Sequence, residues 1–123
     1  MIKPFLAACC LATLMPAALA ADAPARMSGG VLVDAKGMTL YTFDKDVTAS
    51  GKSACNGPCA TLWPPALAGA SDTPSGPFGI LTRDDGARQW SYKGKPVYTY
   101  QSDKQPGDRH GDNVKDVWHV IKE

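Results

Sequence analysis

Short apolar runs separated by turn residues make up the chain from residue 21 onward. Residues 30–33 (Gly-Val-Leu-Val) precede a turn at Asp34-Ala35-Lys36-Gly37, and 38–43 follow, which is the pattern of a β-hairpin. Residues 78–82 run into Arg83-Asp84-Asp85-Gly86, whose Asp-Gly pair favours a tight turn, and 88–92 follow. A Lys93-Gly94-Lys95 turn then leads to a strand over 96–100, and 117–121 make a last strand. Residues 64–77, rich in Pro, Gly, Ala and Ser, read as a connector, and the polar 101–113 as a long loop. No segment carries a sustained apolar 3.6-residue period. The pattern predicts an all-β domain with little helix, a small antiparallel sheet, sandwich or barrel-like fold. Acidic residues point the same way: beyond residue 20 all are Asp except Glu123, and Asp favours turns where Glu favours helix interiors.

A repeat underlies the strands. Gly37-Met-Thr-Leu-Tyr41-Thr-Phe43-Asp-Lys-Asp46 aligns with Gly94-Lys-Pro-Val-Tyr98-Thr-Tyr100-Gln-Ser-Asp103 at an offset of 57 residues. A Trp follows each box, Trp63 in the first and Trp118 in the second. Neither half can bury its own aromatic face, so two halves closing one core are expected rather than two domains. The expected limits are 30–65 and 78–121 within a single β domain over 30–123, preceded by a flexible tail at 21–29.

The first 20 residues read as a secretory signal peptide. Lys3 supplies the charge, residues 5–15 the apolar run, and Ala18-Leu19-Ala20 a small-x-small cleavage site. Leu6-Ala7-Ala8-Cys9 has the form of a lipobox, but only Phe5 separates Pro4 from it. Cleavage near Ala20 is therefore expected over lipid anchoring at Cys9. Beyond residue 20, basic and acidic residues balance. That gives no field to steer nucleic acid. No apolar run reaches the roughly 18 residues of a transmembrane segment. A neutral domain of this size is expected to be a monomer. Export implies an oxidising compartment, where Cys55 and Cys59 can pair.

The Tyr-x-aromatic-x-x-Asp box, present twice, resembles a bacterial family described as a secreted repeat of unknown function, and as predicted lipoproteins with that motif. Cys55-Asn-Gly-Pro-Cys59-Ala-Thr-Leu-Trp63-Pro-Pro, Pro106-Gly107-Asp108 and Val117-Trp118-His119-Val120 support the resemblance. It implies a periplasmic or secreted address and supplies no catalytic residue or cofactor.

Two readings of the boxes stand open. Tyr41 and Phe43 share one strand face, as do Tyr98 and Tyr100. They can be core rings whose strands end at Asp46 and Asp103. They can also be paired ligand sites, since aromatic faces beside carboxylates suit sugars, cations or flat cofactors. With Trp63, Trp118 and the 101–113 loop they are the expected contact surface of a non-enzymatic binding or interaction module of the envelope, taking an envelope protein or a small ligand. Cys55 and Cys59 are expected to form a structural disulfide, being neither a Cys-x-x-Cys pair nor at a helix N-terminus. Ala60, where haem attachment needs His, removes covalent haem. The alternative is a periplasmic redox-linked or metal- or haem-binding protein, using His110 or His119 with Met27 or Met38 for copper or haem. Asp103, Asp108, Asp112 and Asn113 crowd one loop without EF-hand spacing. No nucleophile elbow, phosphate loop or dinucleotide fingerprint marks the chain as an enzyme.

Overall fold

The computed structural model describes residues 23–123, so the expected signal peptide lies outside the described residues. Strands β1 (Ala25–Ser28), β2 (Val31–Asp34) and β3 (Tyr41–Phe43) precede a short helix α1 (Pro58–Leu62). Strands β4 (Phe78–Thr82), β5 (Arg88–Tyr92) and β6 (Lys95–Pro96) follow, then a 3-10 turn at Val114–Asp116 and β7 (Trp118–Val120). All ladders are antiparallel: β1 with β2, β3 with β7, and β4 with β5 and β6. The protein is all-β, with small antiparallel sheets and one short helix.

The expected tail at 21–29 is corrected over 25–28, where β1 forms. Its residues 25–28 pair with 34–31 through the turn Gly29-Gly30. Both glycines have positive φ, +60° and +88°, the mirror-type geometry that matches strand twist and that only glycine adopts freely. Ala25 is buried against Leu32 and Leu40, so burial holds a segment whose sequence has no clean alternation.

The expected 30–43 hairpin forms only in part. Asp34 Oδ1 accepts the amides of Lys36 (2.8 Å) and Met38 (3.0 Å), and the chain turns back so that Leu40 N donates to Leu32 O at 3.0 Å. Beyond Leu40 the strand leaves β2 and pairs with β7, with Tyr41 opposite Val120 and Phe43 opposite Trp118. The 96–100 strand similarly shortens to β6 followed by single bridges at Tyr98.

Those bridges make the two halves interlock. Leu32 N donates to Ile121 O (2.8 Å), and Trp90 N donates to Ala66 O (2.8 Å). Val31 bridges Lys122, and Gln89 bridges Leu67. Tyr41 bridges Tyr98 on the axis relating the halves, through Tyr41 N to Tyr98 O at 2.8 Å and Tyr98 N to Tyr41 O at 3.0 Å. The closing segment of each half thus pairs with residues of the other. The connector at 64–77 is part of this: its residues 65 and 67 supply edge partners to Tyr98 and Gln89.

Two clusters fill the space. Ala25, Leu32, Leu40, Val97 and Ile121 form an aliphatic core. Tyr41, Cys55, Trp63, Tyr98 and Trp118 form an aromatic one. Since each half lends its closing segment to the other, neither half holds all of its strand partners. A chain stopped after Asp116 lacks β7 and is expected to lose its cooperative thermal transition altogether, in the first half as well as the second. A near-UV circular dichroism melt of that truncation checks this, and a retained sigmoidal melt would refute the interdependence.

Candidate functional site

The sequence motifs converge on the aromatic cluster, and they do so crosswise. Tyr41 Oη donates to Asp103 Oδ2 at 2.6 Å, and Tyr98 Oη donates to Asp46 Oδ2 at 2.6 Å. Each box therefore gives its tyrosine hydroxyl to the carboxylate of the other box. Each carboxylate also ties down a loop with its second oxygen: Asp46 Oδ1 accepts Ala54 N (2.6 Å) and Asp103 Oδ1 accepts His110 N (2.9 Å). Both bonds to the phenols have the short length of charge-assisted O–H to carboxylate contacts.

The rings are exchanged in the same way. Phe43 stacks on Trp118 with centroids 4.2 Å apart, Trp118 on Trp63 at 3.8 Å, and Trp63 on Tyr100 at 4.0 Å. The interplanar angles are 13°, 3° and 19°, so the four rings form one continuous stack. Tyr41 meets Trp63 edge-on at 5.4 Å, and Tyr98 meets Trp118 edge-on at 5.2 Å. Stacked and edge-to-face pairs each add about 0.5–1.5 kcal/mol beyond burial. Gly111 closes one side: a Cβ there would lie 2.7 Å from Trp63, so only glycine allows this approach.

Burial separates these residues from solvent. Tyr41 and Tyr98 are 0% exposed, Trp63 4%, Trp118 3% and Asp103 7%. Phe43 and Tyr100, at the two ends of the stack, and Asp46 are half-buried. All eight box and tryptophan positions named from the sequence are thus brought together, with their faces engaged by one another. Burial, reinforced by the hydrogen bond to Asp103, raises the Tyr41 phenol well above its ordinary pKa. Burial and the Asp46 carboxylate do the same to Tyr98. Burial also raises Asp46, against the opposing hydrogen bonds from Tyr98 and Ala54 and the positive charge of Arg83.

Arg83 is a residue that the sequence reading missed. It is 5% exposed, and its guanidinium donates to Ser53 Oγ (3.0 Å), Gln89 Oε1 (2.7 Å), Cys55 O and Asn56 Oδ1 (3.2 Å). Among the described residues no carboxylate lies within ion-pairing distance of it. Ser53 Oγ is also 2.6 Å from the Tyr98 hydroxyl, so a chain of hydrogen bonds joins Arg83 to Asp46. The Arg83-Asp84-Asp85-Gly86 sequence reads as a turn, and nothing local marks its first residue as buried.

Cys55 and Cys59 are joined, with Cα atoms 5.2 Å apart. Cys59 occupies the first turn of α1, which corrects the expectation that the pair lies away from a helix N-terminus. Pro58 at the helix start and Gly57 before it seed this short helix. The disulfide holds the loop whose Cys55 carbonyl receives Arg83.

The two histidines are separate. His119 Nε2 lies 2.8 Å from Asp44 Oδ2 and its Nδ1 3.1 Å from Asn113 Oδ1, so both ring nitrogens have partners. His110 lies with Asp103 and Asp108, their donor atoms within 4.8 Å of one another. Here Asp103 serves Tyr41 and His110 N, and Asp108 Oδ2 accepts the amides of Lys104 (2.9 Å) and Gln105 (3.2 Å). The amide of Lys104 leads in holding the Asp108 carboxyl below its ordinary range. These carboxylates order the 101–113 loop.

A groove of about 580 Å³ opens elsewhere, beside the aliphatic core. Leu40 and Val97 line it together with Ala66, Phe78 and Trp90, and Asp34, Lys36 and Asp72 are at its margin. Leu40 and Val97 are equivalent positions of the two halves, so the groove sits close to the axis that relates them. Ala66 stands where the other half has Ile121, and the smaller side chain leaves the Trp90 face half-open.

Removing the Tyr98 hydroxyl leaves the buried Ser53 and the half-buried Asp46 without it, which costs about 1–3 kcal/mol. Tyr98→Phe is expected to lose that much in urea unfolding, and Tyr98→Phe/Asp46→Asn less than the sum of the single changes. A raised native pKa at Asp46 means that the native state holds its proton longer than the unfolded chain does. Stability should therefore fall as pH rises from the ordinary aspartate value of 3.8 toward the raised one. Unfolding titrations of wild type and Asp46→Asn across that window check the sign, because the variant should lose this fall.

A family model described as a secreted repeat of unknown function matches residues 24–67 and again 79–122. No curated protein and no solved structure matches the chain. The first match begins ahead of the expected limit at 30, in keeping with β1 as part of the repeat. Both matches coincide with the interlocked halves, and the chain belongs to this family of secreted repeats of unknown function.

Proposed function

We propose that the protein is a non-enzymatic binding module of the bacterial envelope, and that its ligand surface is the groove over Leu40, Val97 and Trp90. The observation that carries this reading is the groove itself. Its volume of about 580 Å³ lies within the range of small-molecule sites. An apolar floor, aromatic walls at Phe78 and Trp90, and a few polar groups at the rim are the composition of such sites. The aromatic boxes are occupied by one another, so their role here is to hold the two halves in the geometry that forms the groove. Asp34, Lys36 and Asp72 carry both signs of charge, which suits a compact ligand with a flat apolar body and few polar groups. A secreted family and the expected signal peptide support the envelope address. Neither histidine lines the groove, so this reading calls on no copper or haem.

Anilinonaphthalene sulfonate, an apolar ring system with one charge, is a suitable probe. It is expected to bind the folded protein at one site, and Trp90→Ala to weaken it about tenfold, the equivalent of about 1.4 kcal/mol. His110→Ala, outside the groove, should leave the affinity unchanged. A fluorescence titration in which Trp90→Ala binds as well as wild type would sink the groove reading.

A further inference from the structure

We propose that the four-ring stack is an oxidisable relay: it carries an electron hole from the surface at Tyr100 through Trp63 and Trp118 to the buried phenols Tyr41 and Tyr98, whose protons pass to Asp103 and Asp46. The substrate class is a small one-electron oxidant that meets the protein surface. This inference is independent of the groove and shares no residue with it.

Three features go beyond what packing alone needs. The stack is continuous at van der Waals spacing, 4.0 Å from Tyr100 to Trp63 and 3.8 Å from Trp63 to Trp118, so no aliphatic gap interrupts electronic contact. Each tryptophan has a buried tyrosine against its edge, at 5.4 Å and 5.2 Å, and each of those phenols already donates to a carboxylate at 2.6 Å. A phenol that loses an electron becomes a strong acid, so a base already in its hydrogen bond accepts the proton without any movement of heavy atoms. Finally, the two ends of the stack differ. Tyr100 occupies in the second half the place that Phe43 occupies in the first, and both are half-buried. Phenylalanine is much harder to oxidise than tyrosine, so the stack has one oxidisable end.

The oxidant takes one electron at Tyr100 and is reduced by one electron. Electrons then move outward ring by ring, and the hole moves inward to Trp63 and Trp118. At the terminus, Tyr98–OH and Asp46–CO₂⁻ become the neutral radical Tyr98–O• and Asp46–CO₂H. Tyr41 and Asp103 do the same on the other side. The O–H bond of the phenol breaks, a carboxyl O–H forms, and the proton stays within the original hydrogen bond.

The chain has four tyrosines and three tryptophans. Only Tyr92 and Trp90 lie outside the cluster, so a Trp90→Phe/Tyr92→Phe background leaves this cluster as the oxidisable ring set. Azidyl radical generated by pulse radiolysis is the oxidant, reduced to azide. Transient absorption and freeze-quench electron paramagnetic resonance are expected to show tryptophanyl decaying into neutral tyrosyl radical, with a slower transfer in deuterated solvent. Tyr100→Phe should slow arrival of the buried tyrosyl severalfold. It should also keep the fold, because Phe43 already occupies the equivalent place and the Tyr100 hydroxyl has no hydrogen-bond partner among the described residues. Tyr41→Phe/Tyr98→Phe should abolish the buried tyrosyl signal, leaving the radical on Tyr100 or the tryptophans, while Tyr100→Phe keeps the buried signal. If the double change unfolds the protein, Tyr100→Phe and the isotope effect still decide. Radical confined to Tyr100, an arrival rate unchanged by Tyr100→Phe, or no solvent isotope effect would overturn the relay.

Discussion

The exchange between Tyr41 and Tyr98 is the constraint on which the rest of the structure depends. Their backbones bridge on the axis between the halves, and their hydroxyls cross to Asp103 and Asp46. A phenol buried this completely needs its hydrogen bond, because a buried unpaired hydroxyl costs more than the net worth of a formed one. Each half can supply the other's acceptor but has no acceptor placed for its own tyrosine. The swapped strands and the crossed ring stack follow the same rule. Stability therefore belongs to the pair of repeats.

Arg83 and the Cys55–Cys59 loop complete one side of this arrangement. The guanidinium is anchored by neutral acceptors, and through Ser53 its positive charge reaches the Tyr98–Asp46 pair. On the other side, Gly111 N donates to the Tyr41 hydroxyl at 3.2 Å, and the Asp108 turn takes the place of the disulfide loop. The two halves thus use different chemistry to satisfy equivalent tyrosines. The groove has the same origin in broken symmetry: Ala66 in place of Ile121 leaves space beside Trp90 that the other half fills.

Much was legible in the sequence because it is local. Turn residues at Asp34–Gly37, Arg83–Gly86 and Lys93-Gly94 punctuate the strands, and β2, β4, β5 and β7 lie where the apolar runs place them. The repeat was legible because Tyr, Asp and Trp recur in order. β1 was not, because Ala-Arg-Met-Ser has neither alternation nor strong strand formers, and its burial comes from Leu32 and Leu40. The helical setting of Cys59 was not, since five residues are too few to show a period.

By itself the sequence determined the composition of the fold: two copies of an aromatic box, turn-rich and helix-poor, with a cysteine pair close enough to join. Spacing along one chain carries that information, because turns and strand alternation depend on neighbours. Which box serves which tyrosine was decided only by tertiary structure. Residues 57 apart have the same local sequence whether their contacts stay within a repeat or cross between repeats. The choice depends on which pairing buries both phenols with their carboxylates satisfied. Interlocking the halves achieves that, and the same packing placed Arg83 inside the protein and the groove at its surface.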